Sequence, residues 1–503
     1  MTVGSRASLL AAIAVFGLGA GTSSACTHHR VASHVAAAAV SQYDWRKFNV
    51  GASRSGVEPR ATGITSANVT GLSRNRVALP GTPDSSPIYL HGAIVSGAAH
   101  NVFFLTTTYG KTIAMSGAGN ILWTYTPPSY HTYAGTYQIT TATPAADPSG
   151  RFIYAATPSG YIHKLRVANG HEVTAGRWPV RVTRLPSREK IAASINVWSG
   201  RLYVTTGGYI GDQPPYQGHV VVISIATGRK IGIWNSLCSG SHRLLSPSRC
   251  PQSDSAIFGR SGAVINLSRH RSRGDMLVAT GNGFWNGRQY WGDSVLELSP
   301  LGKRIRHSYT PKDQAKLNVT DTDVGSTSPA VIRLQGPVIV QGGKDGRLRV
   351  VDMGAQGVGH LGGGLQTLST PGGNELFTTP AVWTSGTHEW VFVADGSGTD
   401  AYRVSGRGRS TRLHHMWGNG SAGTSPIVAG GLLYIYDPTG TLNVYAPGTG
   451  HRLARLATGS GHWNSPIVAD GRVALPEGDA NRHSTTGALD IYRLPGALIR
   501  TRA

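Results

Sequence analysis

Eight times along the 503 residues a Ser or Thr opens a short apolar run. The signal reads SPIY at Ser86, TPAA at Thr143, SPAV at Ser328, TPAV at Thr379, SPIV at Ser425 and SPIV at Ser465, with degenerate copies SINV at Ser194 and SGAV at Ser261. After each start comes a Gly or Asp-Gly turn, a second apolar run, another Gly turn and a third run. The starts are spaced 57, 51, 67, 67, 51, 46 and 40 residues. A multi-strand unit at that period predicts a radial β-propeller more than a sandwich, with insertions in the longer intervals. Composition agrees: charged residues are 14% and Gly is 67 of 503, which favours tight turns over long solvated helices. Beyond the first 40 residues no sustained 3.6-residue apolar period is found, so the expected class is all-β.

Arg6, the apolar run Leu9 to Ala20 and the small residues Gly21 to Ala25 predict an export signal over residues 1–25. Cys26, directly after the small residues, is a candidate for lipidation at the head of a tether over 26–42, and a single propeller is expected over 43–503. Three cysteines minus Cys26 leave Cys238 and Cys250, which an oxidising compartment should join. The chain carries 47 basic and 25 acidic residues, formally +22. These basic residues are scattered, with neither an arm nor a recognised motif, so we expect a solvated basic surface and no nucleic-acid partner. No later segment is apolar enough to span a bilayer, which leaves the lipid at Cys26 as the expected membrane attachment.

The closing runs IAMSGAGNILW, VISIATGRKIGIW and LNVYAPGTGHRL resemble the repeat of quinoprotein-type propellers, which pack a Trp between neighbouring blades; Trp123, Trp234 and Trp417 stand where that Trp would be. YDWRKFNVGASRSG, Tyr43 to Gly56, resembles the first strand of such proteins, which commonly completes the last blade. The resemblance implies one eight-bladed domain. It extends to the stretch from Val278 to Asp352. There Thr280-Gly281-Asn282 resembles the family's TGN turn, whose Asn ligates Ca2+. YTPKDQAKLNVTDTDVGSTSP resembles the segment carrying the catalytic Asp, which points to Asp323 or Asp321, and GGKDGRLRVVD resembles the segment whose Lys or Arg faces the quinone oxygens, which points to Lys344.

By that resemblance the chain would be an exported dehydrogenase using pyrroloquinoline quinone and Ca2+. It would oxidise an alcohol or sugar hydroxyl, with Asp323 or Asp321 as base, Lys344 polarising the quinone, and Asn282 with these carboxylates holding the metal. Each residue also has a plainer reading. Asp321 and Asp323 would end a loop, Asn282 would occupy a left-handed turn position, and Lys344-Asp-Gly is hairpin composition. The family's inner-strand Glu falls near Ile191 to Val197, where only Asn196 is offered and Glu189 lies just outside. No haem-attachment motif follows the propeller. A second function is therefore open, a non-catalytic envelope propeller resembling the lipoprotein scaffolds of outer-membrane assembly, binding a protein partner across its blade tops.

Overall fold

A computed structural model describes residues 41–267, 274–334 and 336–495; the proposed signal and Cys26 lie outside them. Eight sheets form the blades of a propeller, seven of them four-stranded and antiparallel and the seventh in chain order with Val57–Glu58 added in parallel as a fifth strand, beside a separate two-stranded ribbon (Glu189–Lys190, Gly207–Gly208). The innermost strands are Ile88–Val95, Ala145–Ala146, Asn196–Trp198, Val264–Ile265, Ala330–Ile332, Ala381–Ser385, Ile427–Ala429 and Ile467–Ala469. Each begins two or three residues after one of the eight Ser/Thr starts, so the repeat set the register of the ring.

The reason is visible in the hydroxyls, which are buried at all eight starts. The Thr143 hydroxyl accepts from Ser86 N (3.1 Å) and the Ser425 hydroxyl from Thr379 N (2.9 Å), while Ser261 and Thr379 share a hydrogen bond of 3.0 Å. A short side chain that can satisfy a neighbour's backbone is what a crowded ring of strand ends needs. The closing-strand tryptophans join blades as expected. The Trp123 indole donates to Val167 O and the Trp417 indole to Pro447 O, both at 2.8 Å, each on the following blade. Their rings lie flat on Gly170 and Gly450, left-handed turn residues (φ +72° and +70°) where an added Cβ would come within 2.6 Å of the indole.

Ring closure is made by a strand that precedes the first blade, but not by Tyr43 to Gly56. Ser73–Leu79 pairs antiparallel with Gly487–Arg493 as the outer strand of blade 8. The earlier segment is a strap that crosses the channel. Trp45 exchanges two 2.8 Å backbone bonds with Tyr89 of blade 1, and Arg46 O accepts from Ala146 of blade 2. Ala52 O accepts from the Asn196 amide of blade 3 and from Ile265 N of blade 4. Ser55 O, Gly56 O and Thr62 O then accept from Val382, Val428 and Gly471 of blades 6, 7 and 8. Positive φ at Asn49 (49°), Val50 (67°) and Arg54 (55°) breaks the extension a blade strand requires. The buried Arg54 guanidinium donates to Phe48 O (2.6 Å) and Ile195 O (2.9 Å), tying strap to ring.

Candidate functional site

In an antiparallel meander the start of the first strand and the end of the second lie at the same edge, so residues before each Ser/Thr and in the loops after each second strand gather at one mouth of the ring. There they enclose a cavity of about 340 Å³, within the range of small-molecule sites. Thr141, Ala192, Arg260, Ser326, Phe377 and Trp463 reach it from the strand starts, and Asp212, Asn282 and Lys344 from the loops.

Asn282 follows the second strand of blade 4, Met276–Ala279. The Thr280 hydroxyl fixes this turn by accepting from Ser294 N (2.9 Å) and donating to Trp291 O. Asn282 is absent from the left-handed residues, which excludes the turn-position reading of its amide. Its backbone N–H donates to Asp323 Oδ1 at 2.6 Å. Gly281 is required beside it, because any Cβ there would collide with the Asp323 carboxylate.

Asp321 and Asp323 do not share an extended strand. They follow the helix Gln314–Val319, Asp321 with φ 50°, and Asp323 caps the 3-10 turn Val324–Ser326. Asp321 is thus left at the rim with its side chain 57% exposed, while Asp323 is 4% exposed. Lys344 joins them: its Nζ lies 2.5 Å from Asp323 Oδ2 and 3.3 Å from Asp321 Oδ1, and its N–H donates to Asp323 O (2.9 Å). Burial pushes the Asp323 carboxyl up to about 6 against the opposing pull of Lys344 and the Asn282 N–H. Lys344, although partly buried, is held above its usual pKa by the two carboxylates. The four residues expected from the sequence therefore converge on the cavity.

The expected inner-strand partner does not. Asn196 is fully buried on the strap side, donating to Ala52 O and Ala263 O at 2.8 Å each. Glu189 is buried too, its carboxylate accepting from Gln217 N (3.1 Å), Thr183 Oγ1 and, at 3.0 Å, His219 Nε2. Burial alone would lower the His219 pKa, but Glu189 outweighs it and the shift is upward.

Sequence reasoning missed Lys190, Arg260, Phe377, Trp463 and His462. All but Lys190 and His462 sit one or two residues before a Ser/Thr start, and that register was the signal available. Phe377 and Trp463 pair at 4.8 Å between ring centroids. His462 Nδ1 lies 2.8 Å from Asp84 Oδ2. With Asp479 these two form the one group of three or more His, Cys, Asp or Glu among the described residues whose ligand atoms approach within 4.8 Å. Asp84 already accepts from Trp463 N and Ala480 N, both at 3.1 Å, so its oxygens serve the hydrogen-bond network. Trp291 is core, Trp285 packs against the same cluster, and neither lines the cavity. Cys238 and Cys250 are bonded, with 6.1 Å between Cα atoms.

In fold the chain is an eight-bladed propeller that matches the quinoprotein dehydrogenases. Among solved structures it matches quinohemoprotein alcohol dehydrogenase from Comamonas testosteroni at 15% identity over 92% of this chain and 82% of that one, TM-score 0.64. A europium-containing methanol dehydrogenase matches at 14% identity over 90% of this chain and 98% of that one, TM-score 0.64. BamB from Moraxella catarrhalis matches at 14% identity over 84% and 99%, TM-score 0.52. No protein-family profile matches the chain, and no curated protein matches it by sequence. Among the described residues no helix is long and apolar enough to cross a membrane.

Proposed function

We propose that the chain is an exported quinone-dependent dehydrogenase that oxidises an alcohol or sugar hydroxyl in the axial cavity. One observation carries the reading: Asn282, Asp323 and Lys344, from three separate segments, meet at one wall of that cavity. The Cys238–Cys250 bond supports an oxidising compartment.

The cavity chemistry fits pyrroloquinoline quinone, a planar tricarboxylate. Lys190, Arg260 and Lys344 offer cations, Tyr209, Phe377 and Trp463 offer ring faces, and the buried Arg260 Nε has no partner. It does not fit Ca2+. Such an ion takes roughly 6–8 oxygen ligands, whereas among the described residues Asp323 belongs to no cluster of three acidic, His or Cys ligand atoms, and its Oδ2 already holds Lys344. No step is therefore assigned to a metal. When bound, the quinone would supply the two-electron acceptor for hydride. Asp323, ionised above about 6, accepts the hydroxyl proton. The Asn282 N–H keeps Oδ1 in place, and Lys344 sets the charge beside Oδ2.

Purified protein supplied with the quinone should reduce an artificial dye when given simple alcohols or sugars, and Asp323→Asn should lower kcat by about 10²-fold or more. A variant with unaltered kcat removes Asp323 from the role. A second reading, a non-catalytic propeller that binds a protein partner, is favoured by exposed Ile210, Phe284 and Val319 on the mouth loops and by the match to BamB. Absence of any dye reduction or quinone binding would favour it.

A further inference from the structure

The two sides of the cavity differ in charge balance. Lys344 is held between two carboxylates, whereas the Lys190 amine has no direct hydrogen-bond or ion-pair partner among the described residues and lies 5.9 Å from the Tyr209 ring centroid. Lys190 stands on the ribbon strand Glu189–Lys190 and is enclosed by protein except where it opens on the cavity. Arg260, itself buried, donates to Thr141 O (2.9 Å) and Asp84 O (3.4 Å), but its Nε has no partner. Asp84 and Asp212 attract the Lys190 amine through space, and Asp84 attracts Arg260, but neither carboxylate makes a direct ion pair with these cations among the described residues. Asp84 serves His462, Trp463 and Ala480, and Asp212 accepts the Tyr216 hydroxyl at 2.8 Å. Beneath Arg260 the Phe48 ring of the strap lies 6.0 Å from its guanidinium, with Arg54 on the same ring at 5.9 Å. A buried guanidinium nitrogen without a partner is costly unless an acceptor joins it.

We infer that Lys190 and Arg260 form a carboxylate-binding subsite that holds a planar anionic quinone without a divalent cation. The inference rests on the quinone reading above and deepens it: positive charge comes from cavity side chains that are not paired with Asp323. Glu189, one residue from Lys190, is turned into the His219 network, which is why no metal ligand stands there. Burial, partly offset by Asp84, brings the Lys190 amine down to about 8, so it is still charged at neutral pH, and an incoming carboxylate favours that charge.

The test is an equilibrium titration of the full chain with pyrroloquinoline quinone, followed by tryptophan fluorescence, in EDTA and again in excess Ca2+. The expected result is saturable binding in EDTA, changed less than about 2-fold by Ca2+ and weakened about 10-fold or more by Lys190→Met. Lys190→Arg should restore much of it, and the quinone trimethyl ester should not bind. Binding that appears only with Ca2+, or equal affinity of wild type and a folded Lys190→Met, overturns the inference while the quinone reading stands. Displacement of the quinone by lactate through Lys190 reassigns the wall to a substrate carboxylate and overturns the cofactor assignment. No binding in either condition overturns both.

Discussion

Asp323 shows how position decides the chemistry of a side chain. Two residues away Asp321 has the same carboxylate, yet a left-handed kink leaves it in solvent while Asp323 is buried against Lys344 and the Asn282 N–H. Because burial raises the Asp323 pKa to about 6, its base form is lost as pH falls through that value, against the pull of Lys344 and with Asp321 and Asp293 as acidic neighbours. The pH profile of kcat/KM should therefore show an acid limb near 6 that Asp323→Asn eliminates; a limb near 4 would place the base elsewhere. Gly281→Ala should cost about 10²-fold in kcat while the chain still folds, since it displaces the carboxylate rather than deleting it. Asn282, Asp321, Asp323 and Lys344 were legible because they fall within one stretch in family order. Lys190 and Arg260 were not read, because one stands on the ribbon and the other before a blade start, and no motif marks a cation at either place.

Elements tell a similar story of local signal and distant partner. Blade register could be read because each Ser/Thr start lies two or three residues before an innermost strand. The strap could not, since its seven blade contacts are made carbonyl by carbonyl and leave no periodicity in YDWRKFNVGASRSG. The closing strand is fastened by charge as well. Arg74 reaches Glu477 and Asp490 at 2.8 Å each, and Arg76 reaches Glu477 at 2.7 Å. Arg74→Ala leaves two buried carboxylates short of a partner, and should destabilise the fold by about 3 kcal/mol in denaturant titration. The Cys238–Cys250 bond closes a loop of sequence separation 12. Its loss in a double Ser variant should cost about 3 kcal/mol on the chain-entropy account, again read from denaturant titration.

At the scale of the whole molecule, a ring of eight sheets has two ends, and this chain treats them differently. Strap residues bond to the inner strands around the ring, with the Phe48 ring against Arg54 and Arg260, while the mouth opens as a cavity where Lys344 is held by two carboxylates and neither the Lys190 amine nor the Arg260 Nε has a direct partner among the described residues. That asymmetry is what a propeller needs to hold one planar anion at its centre. It could not be inferred from a net charge of +22, which does not say which cations line the cavity. The most direct test is a crystal structure of the protein grown with pyrroloquinoline quinone in EDTA. The account predicts one quinone in the axial cavity, its carboxylates on Lys190 and Arg260 and a quinone oxygen toward Lys344. A cavity that stays free of quinone at saturating concentration, or a quinone bound away from these three side chains, would contradict it.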